Sequence, residues 1–279
     1  MPLQSMVPML KKAQMEGYAV GLFDVHTIEG TFAVIEAAVE QRSPVIVAPF
    51  YVPRRAVVAL IRELAADAPV PIAIELDHGR EFKAVMECIR AGFTDVMLDA
   101  STKPYEENVA RTRQVVEAAH AAGLGVEAEL GHVGFDESYA DVSVRKAAFT
   151  RPEDAQRFVA ETGVDALAVA IGSVHGVFKG AGEPELDLNL LDRIRERVDI
   201  PLVLHGGSGL SDEDFQMAIQ HGISKVNIYT DMAVAAVATM RERLADPDVR
   251  YVQVGQAVQE AIKRVVVRYM QVFGSADRA

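Results

Sequence analysis

Short hydrophobic runs alternate along this chain with segments of helical periodicity. Most runs are apolar at nearly every position, which is typical of parallel strands buried on both faces. The eight runs are Ala19–Val25, Val45–Phe50, Ile72–His78, Asp95–Asp99, Gly125–Leu130, Ala166–Ile171, Pro201–His205 and Lys225–Tyr229. The clearest helical segments between them are Ile28–Gln41, Pro53–Ala66, Pro104–Ala122 and Asp187–Val198.

This order predicts an α/β fold in which each strand is followed by a helix. We expect a single (β/α)8 TIM barrel, one domain over residues 1–279, with an extra C-terminal helix around Val254–Phe273. Two polar segments look like helix starts, with caps expected at Thr150 and Ser211. Periodicity alone leaves a doubly wound open sheet as the alternative architecture.

The composition excludes several classes of partner. The 279 residues carry 28 Lys and Arg against 40 Asp and Glu, a formal net charge of −12, and no basic run that would suit a nucleic acid or an anionic membrane surface. Cys88 is the single cysteine, so no internal disulfide can form. No apolar run approaches the roughly 18–20 residues of a membrane-spanning helix. We therefore expect a cytoplasmic globular enzyme.

Three of the seven histidines lie where predicted strands end and are each followed by glycine. His78 ends the third run, His175 follows the sixth, and His205 ends the seventh. Functional groups in such barrels gather at the carboxyl ends of the strands, and three neutral imidazoles with an open fourth position are typical of a catalytic zinc site. His26 is placed to line the same mouth, whereas the role of His132 stays open.

Carboxylates are predicted on the same rim. Asp77 directly precedes His78, Asp99 ends the fourth run, and Glu129 lies near the end of the fifth. Acids this close to a metal act as proton carriers, ligands or orienting groups. Because side chains alternate along a strand, we expect Asp77 and His78 to face different directions.

The loops after the seventh and eighth runs resemble an anion site. Gly206-Gly-Ser-Gly leads into one helix, and Asn227-Ile-Tyr-Thr-Asp leads into the next. Backbone amides of these loops commonly hold phosphate in such barrels. Gly176 and Lys179, in a glycine-rich stretch after His175, are expected to add an amide and a cation.

The chain resembles the class II, zinc-dependent ketose-bisphosphate aldolases, of the fructose- and tagatose-bisphosphate type. The resemblance runs in order through nearly the whole chain. Its motifs are Leu76-Asp-His, Pro104-Tyr-Glu-Glu-Asn, Val126-Glu-Ala-Glu-Leu-Gly, Ala170-Ile-Gly-Ser-Val-His-Gly, Leu204-His-Gly-Gly-Ser-Gly and Lys225-Val-Asn-Ile-Tyr-Thr-Asp.

The resemblance implies a role for each matching residue. It implies that His78, His175 and His205 hold the zinc, that Asp77 is the catalytic acid and base, and that Glu129 assists proton transfer. The matching dihydroxyacetone phosphate contacts are Gly176, Gly206, Gly207, Ser208, Asn227 and Thr230. It also implies one zinc ion per subunit, with a monovalent cation left open, a phosphorylated sugar as substrate, and a homodimer or homotetramer. No Schiff-base lysine is required, and none is obvious on the strands.

Two departures from the family pattern bear on the substrate. Asp24 stands where members usually carry Asn, and Pro49-Phe-Tyr-Val-Pro-Arg-Arg replaces a Ser- or Gly-rich turn. Arg54 or Arg55 either holds a distal anionic group or lies exposed on a helix. Fructose bisphosphate, tagatose bisphosphate and a carbohydrate-acid phosphate all stay open as substrates. A non-catalytic sugar-phosphate-binding barrel and a metal-dependent hydrolase are the competing functions.

Overall fold

The computed structural model describes residues 3–50, 53–134, 142–176, 185–207 and 209–279, and within them eight parallel strands close into a barrel. Each strand pairs with the next in chain order, and β1 pairs with β8 at Val20 and Lys225. Closure confirms the (β/α)8 prediction and excludes the open sheet. The strands are β1 Val20–Val25, β2 Val45–Pro49, β3 Ile72–Gly79, β4 Asp95–Leu98, β5 Gly125–Leu130, β6 Ala166–Val169, β7 Leu202–Leu204 and β8 Ile223–Ile228.

Helices surround this barrel, and their bounds lie close to the predicted ones. The C-terminal helix begins three residues earlier than expected, at Tyr251. The helices are α1 Met6–Glu16, α2 Ile28–Gln41, α3 Arg54–Ala66, α4 Phe82–Ala91, α5 Tyr105–Ala121, α6 Val142–Ala147, α7 Pro152–Thr162, α8 Leu188–Arg195, α9 Asp212–Gln220, α10 Thr230–Arg243 and α11 Tyr251–Val272.

One of the two predicted caps is correct and the other is wrong. Ser211 caps α9 in a capping box with Asp214. Thr150 does not cap α7, because its hydroxyl donates to the Leu130 carbonyl and accepts from the Ala170 amide. It therefore links the ends of β5 and β6, and residue 151 takes the cap position without a side-chain hydrogen bond.

Side chains along β1, β2 and β6 alternate between two apolar clusters, so both faces of these strands are buried. On β1, Val20 and Leu22 belong to the cluster inside the barrel, whereas Phe23 and Val25 pack beneath the helices. Helix α1 closes the amino-terminal end of the barrel. There the Met6 amide donates to Asp95 Oδ2 at 2.8 Å, and the cavity described below lies at the opposite, carboxyl end.

Candidate active site

Three imidazole rings meet at the carboxyl end of the barrel. The ring centroid of His78 lies 5.1 Å from that of His175 and 4.7 Å from that of His205, and those of His175 and His205 are 6.1 Å apart. One ring nitrogen from each lies within 4.8 Å of the others. The structure therefore brings together all three histidines that the sequence singled out.

A bulge in β3 places Asp77 and His78 at the same cavity. The pairing of β3 with β4 shifts register between Leu76 and Gly79, and His78 adopts a positive φ of 45°, which is strained for a residue other than glycine. His78 Nε2 consequently lies 3.9 Å from Asp77 Oδ1. The expectation from simple alternation, that the two side chains face apart, is wrong because the bulge interrupts the alternation.

Carboxylates fix the orientation of two of these rings. Asp99 Oδ2 lies 2.9 Å from His78 Nδ1, and its Oδ1 accepts hydrogen bonds from the Ser101 amide and hydroxyl. Glu129 Oε2 lies 3.1 Å from His205 Nδ1, and Glu127 Oε1 lies 3.0 Å from His205 Nε2. Such contacts commonly orient metal-binding histidines.

The two buried imidazoles His175 and His205 have opposite electrostatic surroundings. Burial, followed by the positive charges of His78 and His205, lowers the pKa of His175 to about 3, so this ring is neutral at physiological pH. Burial also disfavours the charged form of His205, but its contacts with Glu127 and Glu129 outweigh burial and raise its pKa. A metal ion would have to replace one carboxylate contact of His205, since an imidazole has only two nitrogens.

A second group of potential ligands overlaps the first. His78, Asp99 and Glu129 also place ligand atoms within 4.8 Å of one another. In this group the close contact between Asp99 and His78 Nδ1 is the one that orients a ring in the first group. If the three histidines hold the metal, Asp99 and Glu129 are the groups that contact the second nitrogens of His78 and His205.

A cavity of about 480 Å³ opens above the imidazoles and contains most of the predicted substrate-binding residues. Its walls include Asp24, Asp77, His78, His175, Gly176, Gly206, Gly207, Asn227, Tyr229 and Thr230. Within the described part of the chain, the Oδ1 atoms of Asp24, Asp77 and Asn227 are buried and accept no hydrogen bond. Buried polar atoms without partners are uncommon and point to a missing ligand.

The two carboxylates facing this cavity differ in their pKa. Burial raises the pKa of Asp24 well above its ordinary value, and the nearby charge of Asp77 raises it further. Burial acts the same way on Asp77, but the positive charges of His78, His205 and Lys225 outweigh it and lower the pKa of Asp77. Asp77 is therefore the better-stabilised carboxylate of the pair.

The loops after β6, β7 and β8 meet where the phosphate site was expected. Gly206 has a positive φ of 67°, and a Cβ there would lie 2.6 Å from the Val174 backbone, so only glycine lets the two loops approach. Helix α10 begins at Thr230 without a side-chain cap and carries one acid, Asp231, in its first turn, whereas α9 is capped and carries three acids there. The amino terminus of α10 is thus the better anion partner. Lys179 and Ser208 lie outside the described residues.

Sequence reasoning missed a charged group that lies beneath the histidines. Lys225 Nζ lies 2.7 Å from Glu127 Oε2 and 2.8 Å from Glu75 Oε2, and all three side chains are fully buried. Burial disfavours the charged lysine, but Glu127 and Glu75 outweigh it and raise its pKa. Lys225 is a lysine on a barrel strand, yet its ion pairs keep it protonated and unsuited to Schiff-base chemistry. The sequence did contain a signal for this ion pair. Glu75 precedes Asp77 by two residues on β3, and Lys225 precedes Asn227 by two residues on β8, so each charged residue faces the same side of its strand as the site residue that follows it.

The remaining histidines have partners of several kinds. His26 stands at the mouth as predicted, with its ring centroid 4.5 Å from Tyr229 and 5.2 Å from Phe50. His132 Nδ1 lies 2.9 Å from the Ser101 hydroxyl and 3.5 Å from Glu129 Oε1, so it supports the carboxylates around the site. His120 and His221 pair with aspartates on the outer helical layer, away from the site.

The fold and this cluster define a class of protein: a (β/α)8 barrel that presents three imidazoles and several carboxylates at the carboxyl ends of its strands. The family described as class-II fructose-bisphosphate aldolase matches residues 4–278. The chain belongs to this family.

Individual relatives agree along the full length. The chain is 43% identical to the probable fructose-bisphosphate aldolase of Bacillus subtilis, with 100% of both chains covered, and 42% identical to the fructose-bisphosphate aldolase of Thermus caldophilus, with 97% of each covered. Among solved structures, the YdjI aldolase of Escherichia coli K12 superposes with a TM-score of 0.89 at 34% identity, covering 99% of each chain.

These similarities establish the kind of reaction. The protein is a class II aldolase, a carbon–carbon lyase whose family cleaves a ketose bisphosphate to dihydroxyacetone phosphate and an aldehyde, a reaction of glycolysis. The competing expectations of a non-catalytic barrel and of a hydrolase are thereby set aside. Among the described residues, no helix is long and apolar enough to cross a membrane, and Cys88 is buried with a free thiol.

Proposed function

We propose that the enzyme reversibly cleaves a ketose 1,6-bisphosphate with a zinc ion held by His78, His175 and His205. The observation that carries this proposal is the convergence of three imidazole nitrogens within 4.8 Å at a cavity that also contains the Asp77 carboxylate. Fructose and tagatose 1,6-bisphosphate are the two candidate substrates. A phosphate of a carbohydrate acid is the third.

The residues present fit zinc. Imidazole nitrogen is a preferred zinc ligand, and sites with three histidines leave a coordination position for substrate. Asp99 contacts the second nitrogen of His78, and Glu129 contacts His205, as expected of groups that orient ligands. When bound, zinc supplies a Lewis acid that polarises the ketose carbonyl and stabilises the negative charge that develops on its oxygen.

Asp77 is the group proposed to move the proton. In cleavage its carboxylate takes the proton of the C4 hydroxyl, the C3–C4 bond breaks, and C4 becomes the carbonyl carbon of the released aldehyde. The electron pair of the broken bond stays with the dihydroxyacetone phosphate half, which is protonated at carbon before release. In condensation Asp77 returns its proton to the new alkoxide. Its lowered pKa keeps the carboxylate ready to accept at neutral pH.

The phosphate of the dihydroxyacetone half is assigned to the loops after β6, β7 and β8. Gly176, Gly206 and Gly207 offer backbone amides, while Asn227 and Thr230 stand at the other wall of the same cavity. The uncapped start of α10 adds its dipole. Holding the phosphate here positions a small substrate against Asp77. The roles expected of Lys179 and Ser208 stay predictions.

Glu129 is proposed to act mainly through His205. Its side chain is fully buried, its Oε1 accepts a hydrogen bond from the Val133 amide, and it does not line the cavity above the imidazoles. Burial disfavours its charge, but hydrogen bonds with His132 and His205 outweigh burial and hold its pKa well below the ordinary value. A permanently charged Glu129 orients the imidazole, and any proton transfer by it stays a prediction.

Release of dihydroxyacetone phosphate, measured by a coupled assay, tests the proposal. Fructose and tagatose bisphosphates are each offered before and after treatment with a chelator, and zinc is then added back. We expect cleavage of at least one sugar, its loss with the chelator, and its recovery with zinc. Chelator-insensitive cleavage would exclude the metal, whereas no cleavage by protein that contains zinc would exclude both sugars.

An oligomer is also proposed. Helix α10, the residue that follows it and helix α11 expose apolar side chains that include Val234, Leu244 and Tyr251, with exposed fractions of 54%, 66% and 88%. Such a surface supports the expected homodimer or homotetramer. Sedimentation at micromolar concentration distinguishes these states from a monomer. A cytoplasmic location, a single domain and assistance by a monovalent cation stay predictions.

A further inference from the structure

One acid lies in the first turn of the helix that is proposed to help bind phosphate. Asp231 directly follows Thr230, which lines the cavity above the imidazoles. The first backbone hydrogen bond of α10 joins the Ala233 amide to the Tyr229 carbonyl at 3.1 Å, so the amides before Ala233 precede the helical ladder and are available to an anion. A carboxylate in this turn can take the same amides, and it repels a bound phosphate.

The hydroxyl of Tyr269 binds this carboxylate from the outer layer of helices. Tyr269 lies on α11 with 1% of its surface exposed, and its hydroxyl donates a hydrogen bond to Asp231 Oδ2. Arg268 stacks on the Tyr269 ring at 4.9 Å and pairs with Asp212 of α9. No basic side chain among the described residues forms an ion pair with Asp231. Tyr269 is therefore the group that directs the Asp231 carboxylate towards α11, and Asp231 does not line the cavity.

The same tyrosine belongs to an aromatic cluster that packs against the other wall of the phosphate site. The ring centroid of Tyr269 lies 5.6 Å from that of Phe215 and 5.3 Å from that of Phe273, and all three side chains are buried. A Cβ at Gly207 would lie 2.8 Å from Phe215 Cε1, so this ring supports the loop after β7 directly. One buried cluster thus contacts both the Gly207 loop and, through the Tyr269 hydroxyl, the start of α10.

The electrostatic surroundings make the Tyr269 hydroxyl a permanent donor. Burial raises the pKa of Tyr269, and the hydrogen bond to Asp231 and its negative charge raise it further. The phenol therefore keeps its proton throughout the physiological range, with the Asp231 carboxylate as its acceptor. Without this donor, a charged acceptor would stand beside the free amides of α10 with nothing to hold it towards α11.

We propose that Tyr269 is a positioning residue for phosphate binding: its hydroxyl keeps the Asp231 carboxylate from competing with the substrate phosphate for the amino terminus of α10. This inference rests on the proposed function, since it takes that helix start as part of the phosphate site. It predicts that loss of one oxygen atom outside the cavity weakens phosphate binding and that removal of the Asp231 charge restores it. A purely structural role of Tyr269 predicts no such recovery.

The variant Tyr269→Phe tests the inference, because it removes the hydroxyl and keeps the buried ring. Phosphorus NMR titration of the zinc-loaded enzyme gives the Kd for inorganic phosphate. We expect this Kd to rise about 3- to 30-fold, the effect of one charge at a helix terminus. The KM for dihydroxyacetone phosphate, measured by exchange of its C3 proton with deuterated solvent, should rise by a similar factor. The kcat of exchange should change less than about twofold, because the lost interaction is shared by the ground state and the transition state.

Asp231→Ala, made alone and together with Tyr269→Phe, completes the cycle. The double variant should return Kd and KM to within about twofold of the wild-type values, because the competing carboxylate is gone. Asp231→Ala alone should bind phosphate at least as tightly as the wild type. Tyr18→Phe is the matched control: the Tyr18 hydroxyl is also buried, has no hydrogen-bond partner among the described residues, and lies between α1 and β1, so its loss should alter neither constant.

Three outcomes overturn the inference: an unchanged Kd in Tyr269→Phe, a double variant as impaired as Tyr269→Phe, or weaker phosphate binding in Asp231→Ala. If Tyr269→Phe fails to fold, Asp231→Ala decides the question, since weaker binding contradicts the inference and equal or tighter binding supports it. Failure of the proposed function is seen separately. Zinc-loaded wild-type enzyme that exchanges no proton would contradict the proposed function, whereas the Kd for inorganic phosphate would still test Tyr269.

Discussion

Two neighbouring layers inside the barrel use the same strands in opposite ways. In the lower layer Lys225 Nζ lies 2.8 Å from Glu75 Oε2, and both side chains are fully buried. In the upper layer, two residues further along the same strands, the Oδ1 atoms of Asp77 and Asn227 are buried and accept no hydrogen bond within the described chain. Two residues along a strand thus separate side chains that stabilise the barrel from side chains that are available to a substrate.

The difference teaches how a site can be distinguished from a charged core. Buried charges alone do not mark function, because Lys225 in the lower layer forms ion pairs with two glutamates. The oxygens of Glu75 also accept no hydrogen bond among the described residues, but Glu75 does not line the cavity above the imidazoles, whereas Asp77 and Asn227 do. Buried polar atoms that line a cavity and accept no hydrogen bond do mark a functional site, especially next to the strained backbone of His78. Variants in the upper layer should therefore lose activity, whereas variants in the lower layer should lose stability.

The largest effect is expected from His205→Ala. We expect this variant to lose zinc and measurable turnover together, because one of three ligands is gone. Asp99→Asn is the comparison variant, because Asp99 orients His78 without being one of the three proposed ligands, so zinc should bind more weakly but most of it should be retained. The zinc content of each variant is measured after dialysis. Full zinc in His205→Ala, or none in Asp99→Asn, would favour the alternative cluster.

Asp77→Asn should separate metal binding from proton transfer. Turnover is expected to fall about 10²- to 10⁴-fold, the usual contribution of a general acid–base group. Zinc content should stay at the wild-type level, because the carboxylate moves a proton and does not hold the metal. Loss of zinc together with activity would show that Asp77 has been assigned the wrong role.

In the lower layer, Lys225→Met should reduce stability. Removing the cation leaves Glu75 buried without an opposite charge and Glu127 with His205 alone, which costs about 3–5 kcal/mol of unfolding free energy. Urea denaturation measures this change in the free energy of unfolding. The triple variant Glu75→Gln, Glu127→Gln, Lys225→Met removes the charges together and should recover much of the loss. A destabilisation below about 1 kcal/mol would show that the group is not an obligatory ion pair.

Asp24→Asn should have the smallest effect on stability, and the size of this effect depends on pH. Because the pKa of Asp24 is raised in the folded protein, its carboxylate costs stability as the pH rises from the unfolded value near 3.8 through the raised folded value. In the metal-free protein we expect the variant to match the wild type near pH 4 and to melt about 2–4 °C higher at pH 8. A gain at pH 4 that disappears at pH 8 would reverse the assignment.

Most of the fold could be predicted from the sequence, because parallel barrel strands are apolar on both faces and helical segments follow them. Strand β8 shows the limit: the predicted run began at Lys225 and missed Ile223 and Ser224, because the polar Ser224 interrupts the hydrophobic pattern. Thr150 was assigned to a cap because its hydroxyl suits one. Only the packing of β5 against β6 shows that it bridges the two strands instead.

For the site, the sequence identified the three histidines through their positions at strand ends. It could not reveal the β3 bulge, because a bulge is defined by pairing with β4 and leaves no change in residue type at Asp77 or His78. Nor could it show that Tyr269 contacts Asp231, since that depends on how α11 packs against the start of α10.

The most direct test of the central claim is to locate the metal. A crystal grown with zinc and measured at the zinc absorption edge should show one strong anomalous peak per subunit, in contact with His78, His175 and His205. A peak bound instead by Asp99 and Glu129 with His78, or an active crystal form with no peak, would contradict the three-histidine centre.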